Sequence, residues 1–434
     1  MWFLKEKPKQ EQDSARLREE IGTLGPDILS VEPIRVRRDM LVKRSKGGIA
    51  ICPMCHEAYP AVHGPMCRSC RGESPYVKHD EDSACVVFPV PEAVHAVPVD
   101  HALGEQAVHD MTRIVPGESK GAAFRKGQTF EAGDLCRLQQ MGRNNVYVTE
   151  AAVGEDWVHE NDCAKAFAAA LAGDGVIPGG EPHEGKVGLK ADRDGLLCVN
   201  TDRLYSFNMA PGVMAASRSG WTIVNKGADI AGTRAIPLYL KRNLFERAMA
   251  ALTDGPVFSV LPLRAARAGV LVTGDEVFSG KIEDRFEGII RAKLTALGSN
   301  VNRSAIVPDD REQIRDHVKQ FIADGCDLII TTAGLSVDPD DVTRHGLVDA
   351  GATDLVYGAP ILPGAMTLVG RIGEAQLLGV PACALFFART SLDLLLPRLL
   401  AGLSITREDL ARMGEGGMCL GCANCSFPKC PFGK

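Results

Sequence analysis

Two apolar runs in the last third of the chain, Val270-Leu271-Val272-Thr273 and Leu328-Ile329-Ile330-Thr331, each break abruptly into a loop rich in Gly and Asp. Between them Phe286, Ile289, Ile290, Leu294 and Leu297 recur at helical spacing, and Gly298 closes that helix. Residues 300–307 read as a strand, and Pro308-Asp309-Asp310 opens a second helix, capped by Asp309 or Asp310, with Ile314, Val318 and Phe321 inward. Residues 327–331 form the next strand, and Leu392, Leu395, Leu396, Leu399 and Leu400 give a closing helix. Strand, helix, strand, helix, strand predicts parallel pairing with right-handed crossovers. The fold class expected is therefore α/β, a three-layer αβα domain with a mostly parallel sheet over residues 267–405.

Upstream the pattern changes. Residues 1–45 are charged and read as an extension, with a short helix near Ala15 to Ile21. Residues 91–266 read as β-rich modules. They include a helix from Asp134 to Met141, a strand at Val146-Tyr147-Val148, and an Ala-rich helix over 163–172 capped by Asn161-Asp162 and ended by Gly173. Strands are expected over 185–189, 196–199 and 213–224, and a helix over 242–252. Residues 406–434 form a Cys-rich tail that starts from a flexible Gly run at 414–417.

Composition narrows the function. The chain has 434 residues, 45% hydrophobic and 24% charged, as in an ordinary globular protein. A net charge of -6 argues against a nucleic-acid partner. No stretch approaches the roughly eighteen apolar residues of a membrane span, and residues 1–7 lack the apolar core of a signal peptide. The expected location is cytoplasmic.

Eight of the 14 cysteines fall in two clusters. Cys52, Cys55, Cys67 and Cys70 form two C-x2-C knuckles, the ligand set of one tetrahedral zinc, and residues 46–90 read as a zinc ribbon. His56 and His63 are alternative ligands. Cys419, Cys422, Cys425 and Cys430, followed by Pro431, come close to a ferredoxin spacing with one extra residue, so either zinc or a [4Fe–4S] cluster fits. Cys85, Cys136, Cys163, Cys198, Cys326 and Cys383 are scattered and read as small core residues. His101 and His109 read as surface or packed residues rather than ligands.

The two strand-end loops carry the candidate chemistry, because ligands of open α/β sheets bind beyond the carboxyl ends of the strands. Gly274 and Gly334 let backbone N–H groups approach a bulky ligand. Thr331, Thr332 and Ser336 supply hydroxyls for a heterocycle edge or a phosphate. Asp275, Glu276, Asp338, Asp340 and Asp341 crowd adjacent loops, an arrangement that favours a cation such as magnesium between them.

Gly274-Asp275-Glu276, Pro308-Asp309-Asp310, the loop from Thr331 through Ser336 to Asp341, Pro363-Gly364 and Gly379-Val380-Pro381 occur in order at domain-scale spacing. With these motifs the chain resembles the molybdopterin-binding domain shared by molybdopterin adenylyltransferases and molybdopterin molybdenumtransferases, well over 268–404 and more loosely over 96–266. The resemblance implies that molybdopterin, or its adenylylated form, is bound across the two loops. Asp275, Glu276 and Asp338 would be catalytic, beside phosphate and magnesium. Gly274, Thr331, Thr332, Gly334, Ser336, Asp309, Asp341, Pro363 and Gly364 would hold the cofactor. The activity implied is insertion of molybdate with release of AMP; a homodimer is implied as well. The chain departs from the family in having Ala333 in the Gly-Gly pair, Ala382 where Gly is usual, and no lysine within Leu362-Pro363-Gly364-Ala365-Met366. A non-catalytic molybdopterin chaperone or sensor that docks a molybdoenzyme client is the alternative, and a nucleotide pyrophosphatase-like relative the third reading.

Overall fold

The structure, a computed structural model, describes residues 49–52, 58–61, 65, 67, 88–115, 117, 119–332, 334–335 and 342–433. Residues 1–87 and 88–434 are two separate compact units. In the first, Ile49–Ile51 and Ala58–Pro60 pair as an antiparallel hairpin, and Cys52, Tyr59 and Cys67 are buried together with Ala50 against them. Cys55, Cys70 and Cys85 lie outside the described residues, as do His56, His63 and the short helix expected near Ala15.

The second unit starts with a small module. Strands Val94–Pro98 and Asn145–Thr149 pair, a hairpin joins Met111–Val115 to Ser119–Phe124, and the expected helix forms at Ala132–Gln140. Phe124, Phe130 and Leu138 fill its core. Next come a four-stranded and a three-stranded antiparallel sheet, packed with helices Glu160–Leu171 and Arg242–Ala250 around Phe167, Phe207 and Phe258.

Three expectations fail in this region. The Ala-rich helix is capped by His159, whose Nδ1 accepts the Asn161 N–H at 3.1 Å, rather than by Asn161 or Asp162; its C-cap is Ala172, directly before the expected Gly173. Residues 213–224 are two strands in different sheets, Val213–Ser217 and Thr222–Val224, separated by a turn that holds Trp221 at φ 61°. Thr201–Asn208 is a helix where only strands were expected; the Asn200 side chain starts it by accepting the Arg203 N–H at 3.0 Å.

The last domain is the αβα layer structure expected. Its elements in chain order are β1 (Arg267–Thr273), α1 (Asp275–Phe278), α2 (Phe286–Ala296), β2 (Asn300–Val307), α3 (Arg311–Ala323) and β3 (Leu328–Thr332). These are followed by α4 (Thr343–Asp349), β4 (Ala352–Tyr357), β5 (Leu368–Ile372), β6 (Ala375–Val380), α5 (Ser391–Leu400) and α6 (Arg407–Arg412). The sheet order is β2-β1-β3-β6-β5-β4, parallel through the first four strands and antiparallel for the last two. The fold class is α/β. On one face α2 and α5 pack Ile290, Leu294, Leu395 and Leu399 against Val270, Ile330 and Leu378. On the other, α3 and α4 pack Ile314, Val318 and Leu347 against Leu271, Ile329 and Leu377. Both faces are covered, which is why the strands read as unbroken apolar runs rather than as alternation.

The tail is built into this domain. Leu410, Met413 and Phe432 join the core beneath α5, and the chain at 417–419 runs beside Leu362, whose N–H donates to the Gly417 carbonyl and whose carbonyl accepts from the Cys419 N–H, both at 2.7 Å. The expected flexible glycine run is therefore a fixed crossing, with Gly433 N–H bonded back to the Gly416 carbonyl at 2.9 Å. Among the described residues no helix is long and apolar enough to cross a membrane.

Candidate functional site

Parallel pairing sets the carboxyl ends of β2, β1, β3 and β6 side by side, through Thr273 opposite Val307, Val272 opposite Thr332, and Thr332 opposite Val380. Four of the five sequence motifs therefore emerge along one edge. The fifth reaches it too, because β5 runs antiparallel to β6 and begins with Leu368 opposite Gly379, a few residues after Pro363-Gly364.

Gly274 leaves β1 at φ 139°, and its N–H donates to the Val307 carbonyl at 3.2 Å. The next two loops clasp each other. The Asp275 N–H donates to Asp309 Oδ2 and the Asp309 N–H donates to Asp275 Oδ1, both at 3.2 Å. Asp275 and Glu276 are exposed at the start of α1, and Asp309 is half-buried. Asp310 caps α3 by accepting the Gln313 N–H at 2.8 Å, so the neighbouring acids separate into a cap and a loop clasp.

On the β3 side, the Thr273 hydroxyl donates to the Thr332 carbonyl at 3.0 Å and lies 3.1 Å from the Thr343 hydroxyl, which ties β1, β3 and the start of α4 together. Gly334 sits on this pair at φ 57°, where a Cβ would stand 2.0 Å from Thr343 Oγ1. Thr331 and Thr332 are fully buried, and neither hydroxyl has a hydrogen-bond partner among the described residues. A buried hydroxyl without a partner costs about 1–3 kcal/mol, so two adjacent ones at a strand end call for an explanation.

Gly364, at φ 125°, presses its backbone on the start of α5, where a Cβ would lie 2.2 Å from Ser391 Oγ. The Ser391 N–H donates to the Pro363 carbonyl at 3.1 Å, and the Thr367 hydroxyl donates to the Gly364 carbonyl at 2.7 Å. The structure thus brings Gly274, Asp275, Glu276, Asp309, Thr331, Thr332, Gly334, Pro363 and Gly364 to one edge of the sheet. Ser336, Asp338 and Asp341, with Ala333 and Asp340, lie outside the described residues. Sequence reasoning missed Thr343, Thr367 and Ser391, which hold the loops; none of them belongs to a local motif.

Cys419, Cys422, Cys425 and Cys430 all line one cavity of about 310 Å³. The Phe427 backbone N–H and the Arg389 guanidinium hold the Cys425 thiol below its ordinary pKa. Of the scattered cysteines, Cys163 and Cys326 are buried as expected, and burial pushes Cys163 up to about 12; Cys136 is instead exposed. His101 is exposed and His109 half-buried.

Three stretches match known families. Residues 269–401 match a probable molybdopterin binding domain. Residues 43–77, read above within a zinc ribbon, match the FmdE treble clef zinc finger. Residues 96–150 match a domain of unknown function. The chain thus carries a molybdopterin-binding-type domain and an FmdE-type zinc finger. Several curated relatives bear the name CinA-like protein. The one from Mycobacterium sp. (strain JLS) is 38% identical over 79 residues, 18% of this chain and 19% of that protein. The one from Citrifermentans bemidjiense is 37% identical over 96 residues, 22% of this chain and 23% of that protein. The chain therefore spans less than a quarter of the length of either. Among solved structures, the molybdopterin biosynthesis enzyme MoaB from Thermus thermophilus is 25% identical over 32% of this chain and 98% of its own, with a TM-score of 0.28. The Mog protein from Mycobacterium ulcerans is 21% identical over 31% and 93%, with a TM-score of 0.26.

Proposed function

We propose that this protein acts in molybdenum cofactor biosynthesis, binding molybdopterin or its adenylylated form at the β1–β3 edge and assisting insertion of molybdate with release of AMP. The observation that carries the reading is the pair of buried hydroxyls, Thr331 and Thr332, without a partner among the described residues, beside the Gly274-Asp275-Glu276 loop in a domain of molybdopterin-binding type.

The donor set fits magnesium. Asp275 and Glu276 are exposed, and among the described residues only one Asp275 carboxylate oxygen is engaged, by the Asp309 N–H. Hard carboxylate oxygens plus phosphate oxygens make the usual magnesium shell, and the ion would supply charge neutralisation at the phosphate ester. In this reading the chain's own groups orient the ligand. The backbone N–H groups of Glu276 and Leu335 would face its phosphate, and the Thr331 and Thr332 hydroxyls, at the end of β3, would reach polar atoms of the pterin from either side of the strand. The clasp between Asp275 and Asp309 fixes where the first carboxylate points. Asp338, Ser336 and Asp341 would complete the loop around the ligand. The N-terminal cysteines Cys52, Cys55, Cys67 and Cys70 would hold a structural zinc.

A second reading, a molybdopterin carrier or sensor that docks a molybdoenzyme client, draws on two features. The Leu362-to-Met366 segment has no lysine to hold molybdate, and the Cys-rich tail is bonded to that same segment. The test mixes the full chain with adenylylated molybdopterin, magnesium and molybdate and follows AMP. Release that needs molybdate, stops with a chelator and falls at least tenfold in Asp275→Asn supports the enzyme. Binding without release selects the carrier.

A further inference from the structure

The tail cavity is not explained by the pterin reading, and it stands independently of it. Cys419, Cys422, Cys425 and Cys430 surround one space of about 310 Å³. Four cysteines spaced Cys-x2-Cys-x2-Cys-x4-Cys-Pro, close to the ferredoxin pattern, thus line one common space that is roomier than the single ion of a zinc site, whose sulfurs stand about 2.3 Å from the metal, would need.

The remaining walls suit a larger inorganic group. Phe386, Phe387, Phe427 and Phe432 supply aromatic surface, and Phe432 is buried in the domain core. Arg389 is the cation on the wall among the described residues. Its guanidinium bonds Asp393 at 2.8 Å and lies 5.0 Å over the Phe427 ring, on the wall it shares with Cys425. Asp393 is itself nearly buried and also accepts from Lys293 at 2.5 Å, so the arginine is held in place from behind.

We propose that the four tail cysteines bind a [4Fe–4S] cluster in this cavity, one thiolate at each iron, with Arg389 as the cation on the wall beside it. Four iron and four sulfide ions need such a thiolate-lined space. A cubane with four thiolates carries net negative charge, which the arginine offsets. Four thiols lose their protons to bind a cluster with two ferric and two ferrous irons, and when iron is supplied in those two states no redox step is required. The scaffold is anchored at both ends, by Leu362 to the chain at 417–419 and by Gly433 to Gly416, so the cavity precedes the cluster.

The full chain is reconstituted anaerobically with iron and sulfide, and separately with zinc, and its iron, sulfide and zinc are counted. The expected result is about four iron and four sulfide per chain, a visible charge-transfer absorption bleached by dithionite, and a paramagnetic signal from the reduced protein. In the double variant Cys422→Ser/Cys425→Ser iron should fall at least fourfold while zinc bound by the N-terminal finger and the unfolding temperature hold, which excludes misfolding. Arg389→Met should keep the iron but shift the cluster potential downward, because a cation beside the cluster favours the reduced state. Uptake of one zinc by the tail that excludes iron, an iron count of about two with the spectrum of a smaller cluster, or iron unaffected by the cysteine changes would each overturn the assignment.

Discussion

Gly334 and Thr343 set the shape of the β3 loop by mutual contact, with the glycine at φ 57° and its Cβ position 2.0 Å from the threonine oxygen. A methyl group there meets both a left-handed backbone penalty and a clash, so Gly334→Ala should lower unfolding free energy by about 2 kcal/mol or more. Adding Thr343→Ala should recover part of the loss, a coupling that a urea double-mutant cycle reads directly. Thr331→Val and Thr332→Val should behave in the opposite way. Each removes a buried hydroxyl without a partner, and urea midpoints should stay level or rise, by up to about 1 kcal/mol; a clear fall would mean the hydroxyls already serve the fold. Residue chemistry at this site was partly legible. The glycines, threonines and acids announced themselves by following apolar runs. The clasp between Asp275 and Asp309 did not, since it joins two loops 34 residues apart through side-chain bonds to backbone.

Among elements, β2, β3, α2, α3 and α5 were legible within a residue or two and β1 except for its start, because burial on both faces imposes period and length at once; β4, β5, β6 and α4 were not read from the sequence. Thr201–Asn208 was not. Its start depends on one Asn200 bond, and its apolar content is low apart from Phe207. The fate of the tail was equally hidden: a Gly-rich, Cys-rich stretch carries no periodicity, and its docking depends on Phe432 entering a core formed by α5. Phe432 is 3% exposed. Phe432→Ala should therefore cost roughly 3–5 kcal/mol, seen as an earlier thermal transition and faster proteolysis of residues beyond α6. An unchanged transition would mean that the tail is not part of the domain.

Across the second unit, the seam between the small 96–150 module and the sheets that follow holds the buried pair His159 and Glu160, each 5% exposed. His159 Nε2 meets the Val108 carbonyl at 3.0 Å, and its pKa falls from 6.5 to about 4, chiefly through burial and then through Lys126. Glu160 rises from 4.5 to about 7, again chiefly through burial, with Arg234 opposing. The signs follow from proton uptake. The unfolded chain ionises Glu160 above 4.5 but the fold only near 7, so this residue's contribution declines as pH rises through that window. For His159 the unfolded chain protonates below 6.5 but the fold only near 4, so its contribution declines as pH falls from 6.5 to 4. Glu160→Gln should thus gain stability over the parent between pH 4.5 and 7, the gain levelling off above 7. Parallel urea midpoints across that range would refute the burial of Glu160 as an acid.

The central claim is that the β1–β3 edge is the pterin site, and equilibrium binding tests it most directly. Molybdopterin fluorescence would be titrated with the full chain, the Thr331→Val/Thr332→Val double variant and Asp275→Asn, each first shown to unfold with the parent's cooperativity. The account predicts binding by the parent, a loss of at least tenfold for the threonine double variant with or without magnesium, and a loss for Asp275→Asn that depends on magnesium. Equal affinity in all three proteins, or no binding by the parent, would contradict it.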